Sequence, residues 1–270
     1  MLALLLLAGA LGGFVAGLVG VGGGVIFGPV LFFTFQAAGV EDPILTPLTL
    51  GTSLLCTFAA SASGAVAQAR AGAIDRRTAL VAGAVAAVAV VLVGRFVTTQ
   101  PWYDKEAFQL ILGGLLVVVV VRMVTRADAP DTLSTAGARR GVGGLAATGV
   151  GAGAVAALAG VGGGVVLVPA FSGLVRLPIK VAAGTSTAAI VLITAVGVAT
   201  YAVLGQGQAV PDGALGYVDW RGGAALALPA VVTARLGVAT AHRIPVRAVR
   251  LSFAGFAAIV AARLLWNALA

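Results

Sequence analysis

Apolar stretches at about 2–19, 24–37, 47–69, 78–98, 106–126, 141–160, 164–175, 180–204, 222–241 and 247–269 fill nearly the whole chain. No other feature constrains its fold as much. The stretches are hydrophobic all round rather than along one stripe, the pattern of helices that meet lipid or are wholly enclosed. Charged residues make up only 10% of the 270, against ~25% in an ordinary soluble domain. So few charges cannot cover a water-facing surface, which excludes a soluble globular enzyme. The apolar runs also exclude a disordered chain. The 39 glycines lack a three-residue period, which excludes collagen. A membrane helix takes ~20 apolar residues, so this length holds at most about ten packed spans and no separate soluble domain. The opening MLALLLLAGALGGFVAGLVG has no basic residue ahead of its apolar core and runs into further apolar sequence. It is expected to be retained as the first span. The single cysteine, Cys56, excludes an internal disulfide and a cysteine-held metal cluster.

The stretches fall into two related sets. GVGGGVIFGP at Gly20–Pro29 matches GVGGGVVLVP at Gly160–Pro169, and over 13–29 against 153–169, 11 of 17 positions are identical. Gly51-Thr52-Ser53 recurs as Gly184-Thr185-Ser186. Gly72-Ala73-Ile74-Asp75-Arg76 answers Gly216-Tyr217-Val218-Asp219-Trp220. Three matches in the same order identify a duplicated unit. The expected organisation is a first membrane repeat at 1–126, a cytoplasmic linker at 127–139 and a second membrane repeat at 140–270.

Charge fixes the expected orientation. If each unit crosses the membrane five times, counting its short segment, the second is inverted. The inner loops then carry Arg70, Arg76, Arg77, Arg122, Arg126, Arg139, Arg140, Arg176, Lys180, Arg243, Arg247 and Arg250, leaving Arg95, Lys105 and Arg221 outside. Four crossings per unit give parallel units and nearly equal positive charge on the two faces. The positive-inside rule selects inversion, with both termini outside. It also accounts for the net charge of +8 without nucleic acid as a partner. The fold class expected is an all-α polytopic membrane protein. It has two homologous, inverted repeats, built from eight long transmembrane helices plus two short glycine-broken or re-entrant segments.

An inverted repeat with a short, glycine-interrupted segment in each half has the form of a secondary transporter. A break in a membrane helix leaves backbone groups that hydrocarbon cannot satisfy, so it persists only where protein, water or a ligand does so. Gly22, Gly23 and Gly24, with Gly162, Gly163 and Gly164, allow a tight turn with no Cβ to exclude a ligand. The chain then restarts as a short helix containing Pro29 or Pro169, each expected in a first turn. Two opposed helix N-termini with glycine amides make an anion site. Thr52, Ser53, Thr185 and Ser186 can add hydroxyl donors. Against this stands helix packing. Gly9, Gly13, Gly17, Gly20, Gly24 and Gly28 have small-xxx-small spacing, and membrane Ser and Thr commonly bond a carbonyl one turn back. The glycine string is neither a phosphate-binding loop nor a dinucleotide fingerprint.

Other residues have plainer expectations. Asp75 and Asp219 open spans as N-caps, and Cys56 is a buried packing residue. His242 is solvated in a basic loop. Arg235 either snorkels or lines the path. Trp102, Trp220 and Trp266 anchor span ends at the interface. All nine acidic residues lie in or beside loops, so no carboxylate is offered at depth to a cation, a metal or a proton relay. No nucleophile–base cluster points to an enzyme, and neither cofactor nor metal is expected.

On the paired GVGGG…P elements, the Gly-Thr-Ser strings and the Gly-x-Ile/Val-Asp starts of later spans, the chain resembles the sulfite exporter TauE/SafE family, also called the toluene-sulfonate uptake permease family. The resemblance covers nearly the whole chain. The second unit departs from the first in having Val168-Pro169 for Gly28-Pro29 and Asp219-Trp220 for Asp75-Arg76. What the family implies is a multi-pass carrier of the bacterial inner membrane for small sulfur-containing anions such as sulfite, sulfonates or sulfoacetate. The expected partners are that anion and the lipid bilayer, and a homo-oligomer is compatible. Alternatives are an importer of sulfonate or another oxyanion, a divalent-metal exporter, and a membrane scaffold subunit whose glycines serve only packing.

Overall fold

The structure, a computed structural model, describes residues 2–125, 142–241 and 246–269. The described residues form ten helices. In the first half these are α1 (Leu2–Val19), α2 (Gly24–Ala37), α3 (Asp42–Arg70), α4 (Arg76–Phe96) and α5 (Lys105–Thr125). The second half has α6 (Val142–Ala159), α7 (Gly164–Gly173), α8 (Ile179–Leu204), α9 (Trp220–Ala241) and α10 (Val246–Leu269). A two-residue antiparallel ribbon, β1 (Ala214–Leu215) and β2 (Val218–Asp219), precedes α9. Among the described residues α1, α3, α4, α8 and α9 are long and apolar enough to cross a membrane. The fold is that of an all-α polytopic membrane protein. The linker expected at 127–139 lies outside the described residues, as do Arg126, Arg139, Arg140, His242 and Arg243.

Two differences from the sequence expectation have a physical reason. Helix α3 begins at Asp42, five residues before its apolar stretch, because Glu41 as N-cap, Asp42 and Pro43 make a polar first turn that hydropathy cannot see. Pro29 and Pro169 lie inside α2 and α7, in the second turn rather than the first. A proline there cannot donate to the carbonyl four residues back, so Val25 and Val165 lose that intrahelical partner.

The two halves are laced together rather than set side by side. Helix α1 of the first half packs along α9 of the second, and α6 of the second along α4 of the first. Small residues permit both contacts. A Cβ on Gly9, Gly13 or Gly17 would overlap the α9 backbone at Leu226, Ala230 and Ala234. One on Gly149 or Gly153 would overlap α4 at Ala82 and Ala86. The packing role expected of the α1 stripe is therefore real. The long helices α3 and α8 cross at the centre, and α5 pairs with α10. The core holds the fully buried Phe27, Phe32, Phe108, Phe171 and Tyr201, with the Phe32 and Phe108 rings 5.3 Å apart.

Candidate functional site

The site begins with a backbone that only glycine tolerates. Gly22 and Gly23 have φ of 92° and 73°, and Gly162 and Gly163 have φ of 73° and 80°. A left-handed conformation costs any other residue roughly 1–2 kcal/mol. Each string reverses the chain. Gly23 lies against the Gly12 carbonyl and Phe27 packs on Gly12, so α2 runs back along α1 until Leu5 and Phe35 line one cavity. In the second half Gly163 lies against Ala152, and Val166 packs on Gly151.

The two turns meet. A Cβ on Gly24 would stand 2.6 Å from the Gly160 carbonyl oxygen, and one on Gly164 2.6 Å from that of Val21. Thr57 of α3 and Ile190 of α8 both touch Gly22 and Gly162. These two residues lie near the midpoints of their helices, which puts the paired turns at mid-depth in the bundle.

What the turns present is donors. The N-caps of α2 and α7 are Gly23 and Gly163, neither with a side-chain cap bond. Backbone bonding resumes with Ile26 and Phe27 on the Gly23 carbonyl, and with Val166 and Leu167 on that of Gly163. Among the described residues the amides of 21–25 and 161–165 have no acceptor. A helix N-terminus concentrates partial positive charge on such amides. Here two of them lie side by side away from water, the arrangement that suits a small anion.

The Gly-Thr-Ser strings brace the turns crosswise. Ser53 Oγ donates to the Gly160 carbonyl at 2.8 Å, and Ser186 Oγ to that of Gly20 at 2.9 Å. Thr52 Oγ1 accepts from the Asp219 amide, and Thr185 Oγ1 from the Asp75 amide, both at 2.9 Å. Every one of these bonds runs from one half to the other. Gly51 and Gly184 admit the approach, since a Cβ on either would overlap the Tyr217 or Ala73 carbonyl. So the matched strings that reveal the repeat are also each other's partners. Ser53 and Ser186 give their protons to the glycine turns, while Thr52 and Thr185 keep theirs to donate.

Three residues at the site escaped sequence reading. Thr57 is fully buried between the turns, and its hydroxyl has no partner among the described residues. The repeat comparison hid it, because the corresponding residue is Ile190. Tyr201 Oη donates to the Ala157 carbonyl at 2.8 Å, and Tyr103 Oη to that of Leu158. Together they satisfy the last turn of α6, which the glycine break would leave open. Burial pushes the Tyr103 phenol well above its ordinary range. Tyr201, late in α8, and Tyr103, in the turn before α5, carry no sequence mark of such a role.

The remaining expectations are placed as follows. Asp75 Oδ1 accepts from the Thr78 amide at 3.1 Å, and Asp219 from those of Arg221 and Gly222, so both carboxylates cap helices. Cys56 is buried, with Sγ on the Gly223 carbonyl. Arg235 is exposed and donates through Nε to Ser63 Oγ at 3.0 Å, apart from the turns. Trp102, Trp220 and Trp266 are all exposed. A cavity of about 440 Å³ lies between the start of α1, the end of α2, Glu41, Val210 and Asp219. A second, of about 230 Å³, is lined by Ala69, Gly72, Ile74 and Arg76.

The chain matches a family model described as sulfite exporter TauE/SafE over residues 5–264. It is 28% identical over 267 residues to a protein of Haemophilus influenzae named "Probable membrane transporter protein", with 96% of each chain covered. No solved structure matches it.

Proposed function

The chain belongs to the sulfite exporter TauE/SafE family, a multi-pass membrane transporter family, and from that premise we propose that it exports small sulfur-containing anions, such as sulfite or organosulfonates, across the bacterial inner membrane by alternating access. The observation that carries the reading is the pair of opposed glycine turns whose amides have no acceptor among the described residues. Carriers bind at mid-depth, between repeats, on the ends of broken helices. An oxyanion with several oxygens can accept from both turns at once. Gly22, Gly23, Gly24, Gly162, Gly163 and Gly164 supply the backbone. Thr52 and Thr185 add hydroxyl donors, and Ser53 and Ser186 hold the turns in place.

The topology proposed is an inverted repeat with re-entrant hairpins. Since α2 returns along α1, that pair enters the membrane and leaves on the same side. Three crossings per unit remain, in α3–α5 and α8–α10. An odd number inverts the second unit, so the loops keep the sides that the positive-inside rule gives them. In support, the segments 38–41 and 209–211 line one cavity although they come from different halves. Because the halves interlock, each moving body would combine helices of both, α1 with α9 and α4 with α6, and their rocking would expose the turns alternately to each face. An inside-negative potential favours anion export by ~2.3 kcal/mol per charge per 100 mV, so no buried proton carrier is required.

The test is sulfite flux in liposomes holding the purified protein, with the potential clamped at two values and sulfate, a simple sulfonate and cobalt as competitors. Flux that tracks the potential, is inhibited by the sulfonate and ignores cobalt is the expected result. Folded protein that moves no anion, or moves cobalt alone, would overturn the reading and leave a scaffold or a metal exporter.

A further inference from the structure

Among the described residues most buried hydroxyls are in use. Thr49, Thr187 and Thr194 donate one turn back to Leu45, Ala183 and Ile190, and Ser53 and Ser186 hold the glycine turns. One face of α3 is different. Thr46 Oγ1, Thr57 Oγ1, Ser61 Oγ and Gln68 Oε1 are buried and have no partner among the described residues, as is true of Thr78 Oγ1 on α4. At about 100° per residue, Ser61 and Gln68 lie within about 40° of Thr57 around the helix, and the three span roughly 16 Å along it. The face has a known outlook. Thr57 touches both glycine turns, Gly64 lies against Thr187, and Gln68 lies against Gly184. Just beyond Gln68 is the cavity lined by Ala69, Gly72, Ile74 and Arg76.

The matching positions of α8 carry Ile190, Thr194 and Tyr201. The first has no polar group. The other two spend theirs on the Ile190 and Ala157 carbonyls. The repeat is therefore broken in one respect: one long helix holds a row of uncommitted polar groups, and the other does not. Unpaired buried polar atoms are costly and rare in native proteins, and a ligand that visits them is a physical reason to keep them.

Building on the anion-carrier reading above, we propose that this face of α3 is the inner half of the substrate's route. Thr57 is the side-chain donor that completes the anion site between the glycine turns. Ser61 hands the anion on toward the cavity at Arg76, whose guanidinium attracts it at the mouth, past Gln68, whose buried carbonyl oxygen cannot itself bind an anion. The route is carried by α3 alone, so the two long helices have different tasks despite their common origin: α3 conducts and α8 braces.

Thr57→Val keeps the shape and removes only the hydroxyl. Because that hydroxyl holds no protein group, the variant is expected to melt no lower than the parent protein, while sulfite flux falls roughly tenfold or more for a lost charge-assisted bond. Thr57→Ser, which restores the hydroxyl, is expected to recover most of the flux. A second measurement needs no knowledge of the substrate. Ser61→Cys in a Cys56→Ala background is expected to react with a charged methanethiosulfonate added from the face that bears Arg76. Parental flux in Thr57→Val overturns the role of Thr57. So does a drop in melting temperature that Thr57→Ser fails to reverse. An inert Ser61→Cys overturns the α3 route even where sulfite flux is intact. A labelled Ser61→Cys in a protein that moves no sulfur anion upholds the route and overturns the substrate.

Discussion

At the scale of single residues, the glycines of the two turns do two things that one substitution cannot separate. Gly23→Ala must hold a Cβ at φ 73° and place it 2.8 Å from the Gly12 carbonyl oxygen. Gly163→Ala does the same at φ 80° against Ala152. Both are expected to lower stability by roughly 2 kcal/mol or more, from left-handed strain and overpacking. Thermal unfolding in detergent would register it. Gly28→Ala is the control, since its Cβ would meet nothing closer than 3.6 Å, and its melting temperature should stay within a degree or two of the parent's, for a change under about 0.5 kcal/mol. Loss of transport in the turn variants is thus weak evidence for a site. The hydroxyls are better probes, because each one's present partner is known. Ser53→Ala strips the Gly160 carbonyl of its donor and should cost about 1–3 kcal/mol. Ser186→Ala should match it at the Gly20 carbonyl. A marked inequality between the two would show that the crosswise braces are not equivalent.

At the scale of helices, most of the architecture was legible because hydropathy and glycine punctuation are strong signals in a chain with so few charges. The apolar stretches at 2–19 and 24–37 coincide with α1 and α2. Asp75 and Asp219 could be read as caps, since a carboxylate opening a span has few other uses there. Partnership was not legible. Matched strings in two repeats give no sign of whether Thr52 will meet Asp75 of its own half or Asp219 of the other, and the structure chooses the other. Nor can a repeat comparison find what the repeats do not share, which is why Thr57 and Tyr201 were missed. The crossed packing makes its own prediction. Gly13→Val should force α1 from α9, where a Cβ already overlaps Ala230, and Gly153→Val should force α6 from α4 at Ala86. Both should lose folded protein outright in size-exclusion chromatography, since neither clash can be relieved by a side chain alone.

For the whole molecule, the decisive quantity is the number of crossings between the two glycine turns. Two re-entrant hairpins and three crossings in each unit put 38–41 and 206–213 on one face and 71–75 and 174–178 on the other. Single cysteines introduced in these loops of a Cys56→Ala protein should label in that pattern with an impermeant thiol reagent. Finding 38–41 and 206–213 on opposite faces would remove the inversion, and the alternating-access mechanism with it. Loop charge bears on parity but not on the proposed hairpins, because a returning helix and a crossing helix have the same hydropathy. What supports the proposed hairpin is that Leu5 and Phe35 line one cavity.

On the function proposed above, the two glycine turns hold the anion with their backbone amides. The most direct test is the amide nitrogen spectrum of glycine-labelled protein in lipid nanodiscs, titrated with sulfite. Saturable shifts are expected at Gly22, Gly23 and Gly24 and at Gly162, Gly163 and Gly164, with Gly9, Gly13 and Gly17 unmoved in their helix contact. Shifts confined to the packing glycines, or a spectrum indifferent to sulfite in a protein that transports it, would contradict the account and place the anion elsewhere.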